Sequence, residues 1–425
     1  MSKPVFVISS AFDTYSGYGA RARDIIKVLI ELDRYDIQLL PQRWGDTPLD
    51  FCKNHSEWNY LLKHVIPMPL RSKPDIWMQM TIPPEYQAVG KYNIGCTAGI
   101  ESTGCDASWI EGMNRMDMNL VSSEHSKEIF SKIKFEKKDK NTHQNLGTIG
   151  LEKPIEVVFE GVDINVYKHI ESKEITLDLK QIKESFCFLF VGHWMQGDIG
   201  HDRKNVGLVV KYFFDAFKGK KNTPALILKV SNGRNSYMSR EVILDKILAI
   251  KKLYKNTTLP NVYILNGGLS DENMNQLYNH PKIKAMVSFT KGEGYGRPLA
   301  EFGTSKKPII SSGWSGQLDF LNPENTTLLP GALENVHPSA ANQWLLKETQ
   351  WFQVSSKHAV SAYTDVYKNY KTFIEGSRKQ GHYIKTNFSR ENMKGVVTEI
   401  LDKNIPDFPK QVQLKLPKLT LPKLK

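Results

Sequence analysis

The sequence contains little cysteine and no long apolar run. Its 425 residues include four cysteines, which are scattered along the chain: Cys52, Cys96, Cys105 and Cys187. Their spacing is neither that of a zinc site nor that of a disulfide scaffold, so we expect free, buried thiols and a reducing, cytoplasmic setting. No apolar run approaches the roughly 20 residues that cross a bilayer, and the run at the N-terminus is too short for a signal peptide. We therefore expect neither export nor a membrane span.

Acidic residues are fewer than basic ones. The chain has 57 Lys and Arg residues against 45 Asp and Glu residues, a formal net charge of +12. This excess favours polyanionic surroundings such as DNA, an anionic membrane surface or a phosphorylated substrate, and an ordinary basic surface explains it equally well. None of the recognisable nucleic-acid-binding modules occurs in the sequence. A polyanionic partner therefore stays an open alternative.

The chain does contain a repeated alternation of short apolar runs and helix-compatible segments. Near the N-terminus the run "PVFVISS" is followed by the glycine turn "SGYG" and by "ARARDIIKVLIEL", whose apolar residues recur at helical spacing. The rhythm restarts after "IEVVFEGVD" with runs such as "FCFLFVGHW", "ALILKVSNG" and "IKAMVSFT". This alternation is typical of parallel sheets wrapped by helices. Between the two series, the lysine-rich stretch "KIKFEKKDKNTHQNLGTIGLEKP" predicts an exposed excursion.

We therefore predict an α/β fold with two doubly wound, Rossmann-like domains, since a chain of this length exceeds a single core. The predicted N-terminal domain spans residues 1–163, and the predicted C-terminal domain spans residues 164–385. A helix over residues 386–405 follows, with Ser389 as its cap, and is expected near or crossing back to the N-terminal domain. The tail, residues 406–425, repeats a basic Pro-Lys-Leu unit that disfavours helix and predicts flexibility.

The stretch "SFTKGEGYGRPLAEFGTSKKPII" carries the most specific chemical signal. Its apolar strand leads into a loop with three glycines, which lack a Cβ and let backbone approach a ligand closely: Gly292, Gly294 and Gly296. Pro298 suits the first turn of the helix that follows, and the free N–H groups at such a helix start favour phosphate. Ligands of open α/β sheets bind beyond the carboxyl ends of strands. The pattern predicts a phosphate-binding loop, with a plain glycine turn as the alternative.

Glutamates stand at both ends of "EGYGRPLAE", Glu293 on the loop and Glu301 in the helix. The segment resembles the Glu-x7-Glu signature of retaining glycosyltransferases with the GT-B fold, the group that includes sucrose-phosphate synthases and mannosyltransferases. Glu301 is then expected to accept hydrogen bonds from the ribose of a nucleotide-sugar donor, while Glu293 holds sugar hydroxyls. The resemblance also assigns Gly294, Tyr295 and Gly296 to the donor site, and it implies two domains that face a cleft.

A second match lies in "FLFVGHWMQGDIGHDRKNVGLVVKYF". In the family, an arginine and a lysine after the first strand of the C-terminal domain grip the donor diphosphate. Lys204 falls on the lysine position, whereas His193 stands where the arginine is usual. Arg203 or a protonated His193 could supply the missing charge, and an ordinary cationic loop is the alternative. A third match, in "ILNGGLSDENMNQLYNH", implies that Leu269 and Ser270 present backbone groups to the nucleobase.

The N-terminal half adds weaker candidates. "SGYGARARDIIKVL" resembles the glycine loop that caps the donor phosphates, so Gly17 and Gly19 are candidates, although a mere strand-to-helix turn explains them nearly as well. "IGCTAGIESTGCDASW" resembles a family segment in which Glu101 would face the acceptor or the donor sugar. Asp106 is a weaker candidate there, because an aspartate before a helix commonly serves as its N-cap. Asp319, downstream of the motif, is expected to be structural.

These matches imply a retaining glycosyltransferase that moves a sugar from a nucleotide-diphosphate sugar to a hydroxyl of a lipid, saccharide or small molecule. The predicted catalytic residues are Lys204, Glu293 and Glu101. No Asp-x-Asp pair occurs, so we expect no obligatory metal, no metal ligands and no cofactor beyond the donor substrate itself. Two alternatives stay open: a viral-type enzyme that glycosylates hydroxymethylated pyrimidines in DNA, and a non-catalytic module with the same fold that only binds nucleotides.

Overall fold

The computed structural model describes residues 3–70, 72–138, 144–232 and 237–408. The strands within these residues are β1 Val5–Ser10, β2 Asp36–Pro41, β3 Ile76–Met80, β4 Tyr92–Cys96, β5 Met118–Val121, β6 Lys134–Lys138, β7 Asn145–Gly150, β8 Ile155–Val157, β9 Cys187–His193, β10 Ala225–Ser231, β11 Val262–Leu265, β12 Ile283–Ser288, β13 Ile309–Ser312, β14 Thr327–Leu329, β15 Gly331–Asn335 and β16 Gln350–Val354. The helices are α1 Gly17–Leu32, α2 Phe51–Asn54, α3 Ala107–Asn114, α4 Glu124–Lys132, α5 Val206–Phe217, α6 Tyr237–Lys251, α7 Asp271–Asn279, α8 Arg297–Gly303, α9 Ser356–Lys368, α10 Tyr370–Asn387 and α11 Arg390–Asn404.

Two six-stranded parallel sheets organise the chain. The first has the strand order β2-β1-β3-β4-β5-β8, and the second has the order β11-β10-β9-β12-β13-β14. Every pairing within these two sheets is parallel. Numbered from its own first strand, the second sheet has the order 3-2-1-4-5-6 of a doubly wound nucleotide-binding fold. The predicted α/β fold with two parallel sheets is thereby confirmed.

Apolar residues explain why these runs form buried strands. All five residues of β3 are buried, and β1 buries five of its six residues. Such continuous apolar runs are typical of strands that helices cover on both faces. Within the second sheet, β9 and β12 are central neighbours, so the loops after these two strands emerge at the same edge. Those two loops carry most of the candidate site.

Two antiparallel hairpins lie outside the parallel sheets. The lysine-rich stretch that was expected to be an excursion forms β6 and β7, which pair with each other and not with either large sheet. The second hairpin, β15 and β16, was not anticipated from the sequence. It contacts both halves of the chain, because the Phe352 amide donates to the Lys291 carbonyl at 2.9 Å and the Thr103 amide donates to the Gln350 carbonyl at 2.8 Å.

The C-terminal helix α11 returns to the first half of the chain. Val162 and Ser389 form an isolated parallel bridge at the point where the chain crosses back. Lys394 of α11 then lies 3.4 Å from Glu31 of α1. Ser389 caps α11, as predicted, by accepting from the Asn392 amide. The described chain ends at residue 408, so most of the predicted flexible tail lies outside the described residues.

All four cysteines are buried free thiols, as predicted. Among the described helices, none combines the length and the apolar character that a bilayer span requires.

Candidate functional site

Three of the predicted site residues meet where β9 and β12 end. Arg203 and Lys204 lie on the loop between β9 and α5, and Glu293 lies on the loop between β12 and α8. The Lys204 ammonium donates to both Glu293 carboxylate oxygens, at 2.5 and 2.6 Å. Arg203 adds a longer contact of 3.4 Å to the same carboxylate. Two cations therefore share one carboxylate at the edge of the sheet where ligands of this fold class bind.

Burial and charge act against each other in this cluster. Glu293 is 7% exposed, and burial alone would raise its pKa, but Lys204 and Arg203 outweigh that effect and hold the pKa below its usual value. Burial lowers the pKa of Lys204, and Glu293 opposes the shift. Burial also acts to lower the pKa of Arg203, yet Glu101 and Glu293 raise it above its usual value. The geometry therefore supports an ionised cluster.

Glu101 joins the cluster from the first half of the chain. Its carboxylate lies 3.5 Å from the Arg203 guanidinium, which also donates to the Gly292 carbonyl at 2.9 Å. The Glu293 amide donates to the Ser315 hydroxyl at 2.9 Å, and this bond holds the loop between β12 and α8 in place. The structure therefore brings the three predicted catalytic residues to one seam between the halves, with Arg203 as their common neighbour.

Two glycines of the motif lie against backbone of the first half of the chain. A Cβ at Gly292 would collide with the Glu101 carbonyl oxygen, and a Cβ at Gly294 would collide with the Ala98 carbonyl oxygen. Both collisions are with backbone of the first half. Gly296 instead has φ of +98° and precedes α8 as its N-cap. In the described conformation, Gly292 and Gly294 thus make room for backbone of the first half, and the expectation that the glycines make room for a ligand stays a prediction.

The surroundings of His193 favour its neutral form over the protonated form that the sequence left open. Desolvation, Lys204 and Arg203 together lower the pKa of His193 to about 4, so its imidazole is neutral at neutral pH. The ring nitrogen Nδ1 lies 2.9 Å from the Ser231 hydroxyl. Arg203, which the sequence offered as the other substitute for the usual arginine, lies in the cluster beside Lys204.

Glu301 is engaged by protein groups in a way that the sequence did not predict. The Arg297 Nε donates to it at 2.7 Å, and the Tyr278 hydroxyl lies at 3.4 Å. The side chain is buried, and burial raises its pKa to about 7 against the opposing effect of Arg297. A ribose diol that binds Glu301 must therefore share the carboxylate with Arg297 or displace it.

Arg297 belongs to a chain of ion pairs that sequence reasoning missed. It lies 2.5 Å from Asp24 of α1, and Asp24 in turn lies 3.0 Å from Arg390. Arg390 also pairs with Asp163 at 2.7 Å. The sequence did contain a signal that Asp24 is buried and needs a partner. Asp24 stands four residues before Val28, which is also buried, so both lie on the core-facing side of α1. This chain of charges connects α1, α8 and α11.

The remaining donor candidates have structural roles in the described conformation. Ser270 caps α7 by accepting from the Asn273 amide at 3.2 Å, and Leu269 packs partly buried beside it. A Cβ at Gly19 would lie 2.5 Å from the Thr14 carbonyl oxygen, so the turn itself requires this glycine. A Cβ at Gly17 would meet nothing within 4 Å. Their roles toward a donor stay predictions.

Asp106 and Asp319 both serve helix starts. Asp106 is the N-cap of α3 and accepts from the Ser108 amide at 2.9 Å, which confirms the N-cap interpretation. Asp319 accepts from the Glu124 amide at 2.9 Å, in the first turn of α4, and so connects the two halves. Within the described ranges, no group of three or more His, Cys, Asp and Glu side chains is arranged to hold a metal ion.

Comparison with known proteins identifies the fold. No protein-family model matches the sequence, and no curated protein matches it. Among solved structures, HepE of Anabaena in complex with UDP and glucose is 12% identical, covers 94% of this chain and 100% of its own, and gives a TM-score of 0.61. Sucrose-phosphate synthase of Thermosynechococcus elongatus is 11% identical, with 94% and 98% covered and a TM-score of 0.62.

A glycosyltransferase of Rickettsia africae is 13% identical, covers 96% of this chain and 100% of its own, and gives a TM-score of 0.57. At such identities the likeness is one of fold. The two parallel sheets described above are therefore those of the GT-B fold.

Proposed function

We propose that the protein is a retaining glycosyltransferase that moves a sugar from a nucleotide-diphosphate sugar to an acceptor hydroxyl. The observation that carries the proposal is the cluster of Lys204, Arg203, Glu293 and Glu101 at the seam between the two sheets. Fixed cations beside carboxylates at this edge suit a diphosphate and a polyhydroxylated sugar. The complexes of HepE with UDP and with UDP-glucose support the same ligand class by analogy of fold.

In the proposed reaction, negative charge grows on the leaving diphosphate as the bond to the anomeric carbon breaks. Lys204 and Arg203 stabilise that charge, because they are already oriented by Glu293 and Glu101 and need no reorganisation. The departing phosphate takes the acceptor proton on the same face of the sugar, so that the anomeric configuration is retained. No protein nucleophile and no divalent metal are part of this proposal.

Glu301 and the loop before α8 supply the remaining donor contacts in the proposal. Glu301 accepts from the ribose, Gly294, Tyr295 and Gly296 border the donor, and Leu269 and Ser270 meet the nucleobase. Gly17 and Gly19, at the start of α1, face the phosphates from the first half. These assignments follow the resemblance of the motifs, and donor titrations of Glu301 and Gly17 variants test two of them.

The decisive experiment is hydrolysis of a panel of nucleotide sugars by the full chain, with UDP-glucose included. The proposal expects release of nucleoside diphosphate from one or a few donors and retention of configuration at the released sugar. A protein that binds nucleotides without releasing sugar from any donor would be the non-catalytic module instead.

The net charge of +12 keeps DNA as a second candidate acceptor. Each phosphate contact to DNA releases condensed counterions, so binding to duplex DNA would fall steeply with salt. A salt titration of DNA binding, run beside binding to anionic vesicles, separates these partners. Removal of residues 410–425, which lie outside the described residues, should flatten the salt dependence without changing donor hydrolysis if the tail serves a polyanion. Absence of DNA binding at low salt would exclude this acceptor.

A further inference from the structure

Lys291 is a fully buried lysine that stands two positions before Glu293. Beside a glycine loop of this kind, a lysine ammonium commonly binds phosphate. The side chain of Lys291 is instead 0% exposed and enters the hairpin of β15 and β16. Its ammonium donates to the Glu334 carboxylate at 2.5 Å and to the Gln353 amide oxygen, and it lies 5.2 Å from the centre of the Trp351 ring. The hairpin therefore encloses the charge of Lys291.

The backbone of Lys291 and Gly292 binds Arg203 at both of its ends. The Lys291 amide donates to the Arg203 carbonyl at 2.8 Å. The Arg203 guanidinium in turn donates to the Gly292 carbonyl at 2.9 Å, and the Thr290 hydroxyl donates to the same carbonyl at 3.0 Å. The main chain and the guanidinium of Arg203 are thus bound to one dipeptide, so the place where Lys291 is held determines the orientation of Arg203.

The hairpin also contacts the loop between β9 and α5, in addition to the two backbone bonds given above. The Asp198 amide of that loop donates to the hydroxyl of Ser339, which lies between β15 and β16, at 3.0 Å. The rings of His201 and His337 stack with their centres 3.9 Å apart and their planes at 17°. One hairpin therefore contacts all three segments that supply the cluster, and Lys291 is its buried charged contact with the motif loop.

We propose that Lys291 is a positioning residue of the donor site, which the hairpin anchors and which orients Arg203 for the transfer step without contacting the donor. A carboxylate, an amide oxygen and an aromatic face together restrict an ammonium to few positions. The backbone bonds of residues 291 and 292 extend that restriction to Arg203, whose charge must already be oriented when charge develops on the leaving phosphate. The transfer step in this inference rests on the proposed function, whereas the placement of Arg203 does not.

The first experiment needs no activity. Hydrogen exchange, followed by mass spectrometry, compares the full-length wild type with Lys291→Met. Exchange in peptides that cover residues 198–205 and 289–294 should be about tenfold faster in the variant, because the bonds between these two segments open more often. Unchanged exchange in both peptides would overturn the proposal.

Lys282→Met is the matched control for the loss of a lysine from the second half of the chain. Lys282 is half-buried, stands just before β12 at the strand end opposite to the motif, and donates to the Leu179 carbonyl at 3.1 Å. Its substitution should leave exchange in the two peptides as in the wild type. Faster exchange there in Lys282→Met as well would contradict the specific role of Lys291.

The second experiment separates positioning from direct donor contact. Lys291→Met should lower kcat about tenfold and UDP affinity by less than about threefold, because a bound diphosphate still attracts Arg203 that is no longer oriented in advance. Glu334→Gln, which weakens the anchor and retains the lysine, should show a smaller loss of the same kind, and it serves as the test if Lys291→Met does not fold. A loss of UDP affinity equal to that of kcat would make Lys291 a donor ligand, and an unchanged kcat in the folded variants would leave it no role in transfer. Either result would overturn the proposal.

A double-variant cycle tests the route through Arg203. In the Arg203→Ala background, Lys291→Met should change kcat by less than about twofold, because substitutions that act through one contact are not additive. A further loss of about tenfold in that background would show that Lys291 acts independently of Arg203, contrary to the proposal. Absence of turnover with every donor would count against the proposed function alone, and hydrogen exchange would then decide whether Lys291 positions Arg203.

Discussion

Glu293 and Glu301 stand at the two ends of one short motif, and both are 7% exposed, yet their electrostatic surroundings are opposite. Two cations of its own half hold the pKa of Glu293 below its usual value. Glu301 has one cation, which it shares with Asp24 of the other half, and burial raises its pKa to about 7. The spacing of a motif therefore gives the positions of its carboxylates, while their protonation depends on segments far away in sequence.

The comparison assigns different tasks to the two ends. At the Glu293 end, charge is concentrated and preorganised, which suits a step in which charge develops. At the Glu301 end, the carboxylate is near half-protonation at neutral pH, and its partner Arg297 also pairs with Asp24 of the other half. This arrangement suits a binding step that responds to pH and to the relative position of the two halves. The following variants test this division, from the largest expected effect to the smallest.

Lys204→Ala should have the largest effect. Removal of one preorganised charge from a reaction in which charge develops costs about 100- to 1,000-fold in kcat. Donor affinity should fall by less, because the diphosphate gains negative charge only as the bond to the sugar breaks. Steady-state kinetics and donor titration measure the two effects separately. Lys211→Ala is the control, because Lys211 makes an ordinary i,i+4 pair with Asp215 at 2.8 Å. Equal losses in kcat and affinity would show that Lys204 has no special role in the reaction step.

Glu301→Gln should weaken donor binding about tenfold near pH 8, because a charge-assisted hydrogen bond to the ribose is lost. The substitution should also remove the pH dependence of donor affinity around pH 7. In the wild type, affinity should rise as the carboxyl ionises near its pKa of about 7. Donor titrations between pH 6 and pH 8 measure both effects. Glu301→Ala should weaken the donor more strongly still and leave the fold intact.

The same carboxyl predicts a stability effect of defined sign. Its folded pKa lies above the ordinary value of 4.5, so the native state binds more protons than the unfolded state between about pH 4.5 and pH 7. Wild-type stability should therefore decline with rising pH across that window relative to Glu301→Gln. Parallel pH profiles of the two proteins in thermal unfolding would count against the assigned surroundings of Glu301.

Gly294→Ala should disturb the contact between the halves. The added Cβ would collide with the Ala98 carbonyl oxygen, and neither backbone can yield without separation of the two segments. Small-angle scattering should show a larger radius of gyration than in the wild type. Gly296→Ala serves as the comparison, because its φ of +98° costs about 1 to 2 kcal/mol locally without forcing the halves apart. An unchanged radius in both variants would refute the role assigned to Gly294.

Gly17→Ala should have the smallest effect. A Cβ there meets nothing within 4 Å, whereas one at Gly19 lies 2.5 Å from the Thr14 carbonyl oxygen. Gly17→Ala should leave the Tm unchanged and reduce donor affinity only a few-fold if this loop covers the phosphates, while Gly19→Ala should lower the Tm clearly. Similar losses of Tm in both would mean that the first glycine is also required by the turn.

Local patterns predicted much of this fold because local chemistry determines it. Apolar runs gave the parallel strands, and single side chains gave the helix caps at Asp106 and Ser389. The family resemblance also implied that Glu293, Lys204 and Glu101 belong to one site, and the three residues do lie together. The hairpin of β15 and β16 was missed because neither strand alternates apolar with polar residues, β15 being mostly exposed and β16 mostly buried.

What the sequence could not provide is the contact between the halves. The role of Gly292 depends on the position of the Glu101 backbone, and the engagement of Glu301 depends on Arg297 and Asp24. The contacts of Gly292 with Glu101 and of Arg297 with Asp24 join residues almost two hundred or more positions apart, so no local pattern records them, whereas the Arg297–Glu301 pair is an i,i+4 contact. The lowered pKa of His193 likewise follows from burial first and from the two cations Lys204 and Arg203 second, both of which depend on the folded structure.

The most direct test of the account is a calorimetric titration of UDP into the wild type and into the double variant Arg203→Ala/Lys204→Ala, with folding checked by circular dichroism. The account predicts saturable binding at one site in the wild type and a loss of about 100-fold or more in affinity in the folded double variant, since each charge-assisted contact contributes about 1.5 to 3 kcal/mol. Equal affinity in the two proteins, or no binding of UDP or any other nucleoside diphosphate to the wild type, would contradict it.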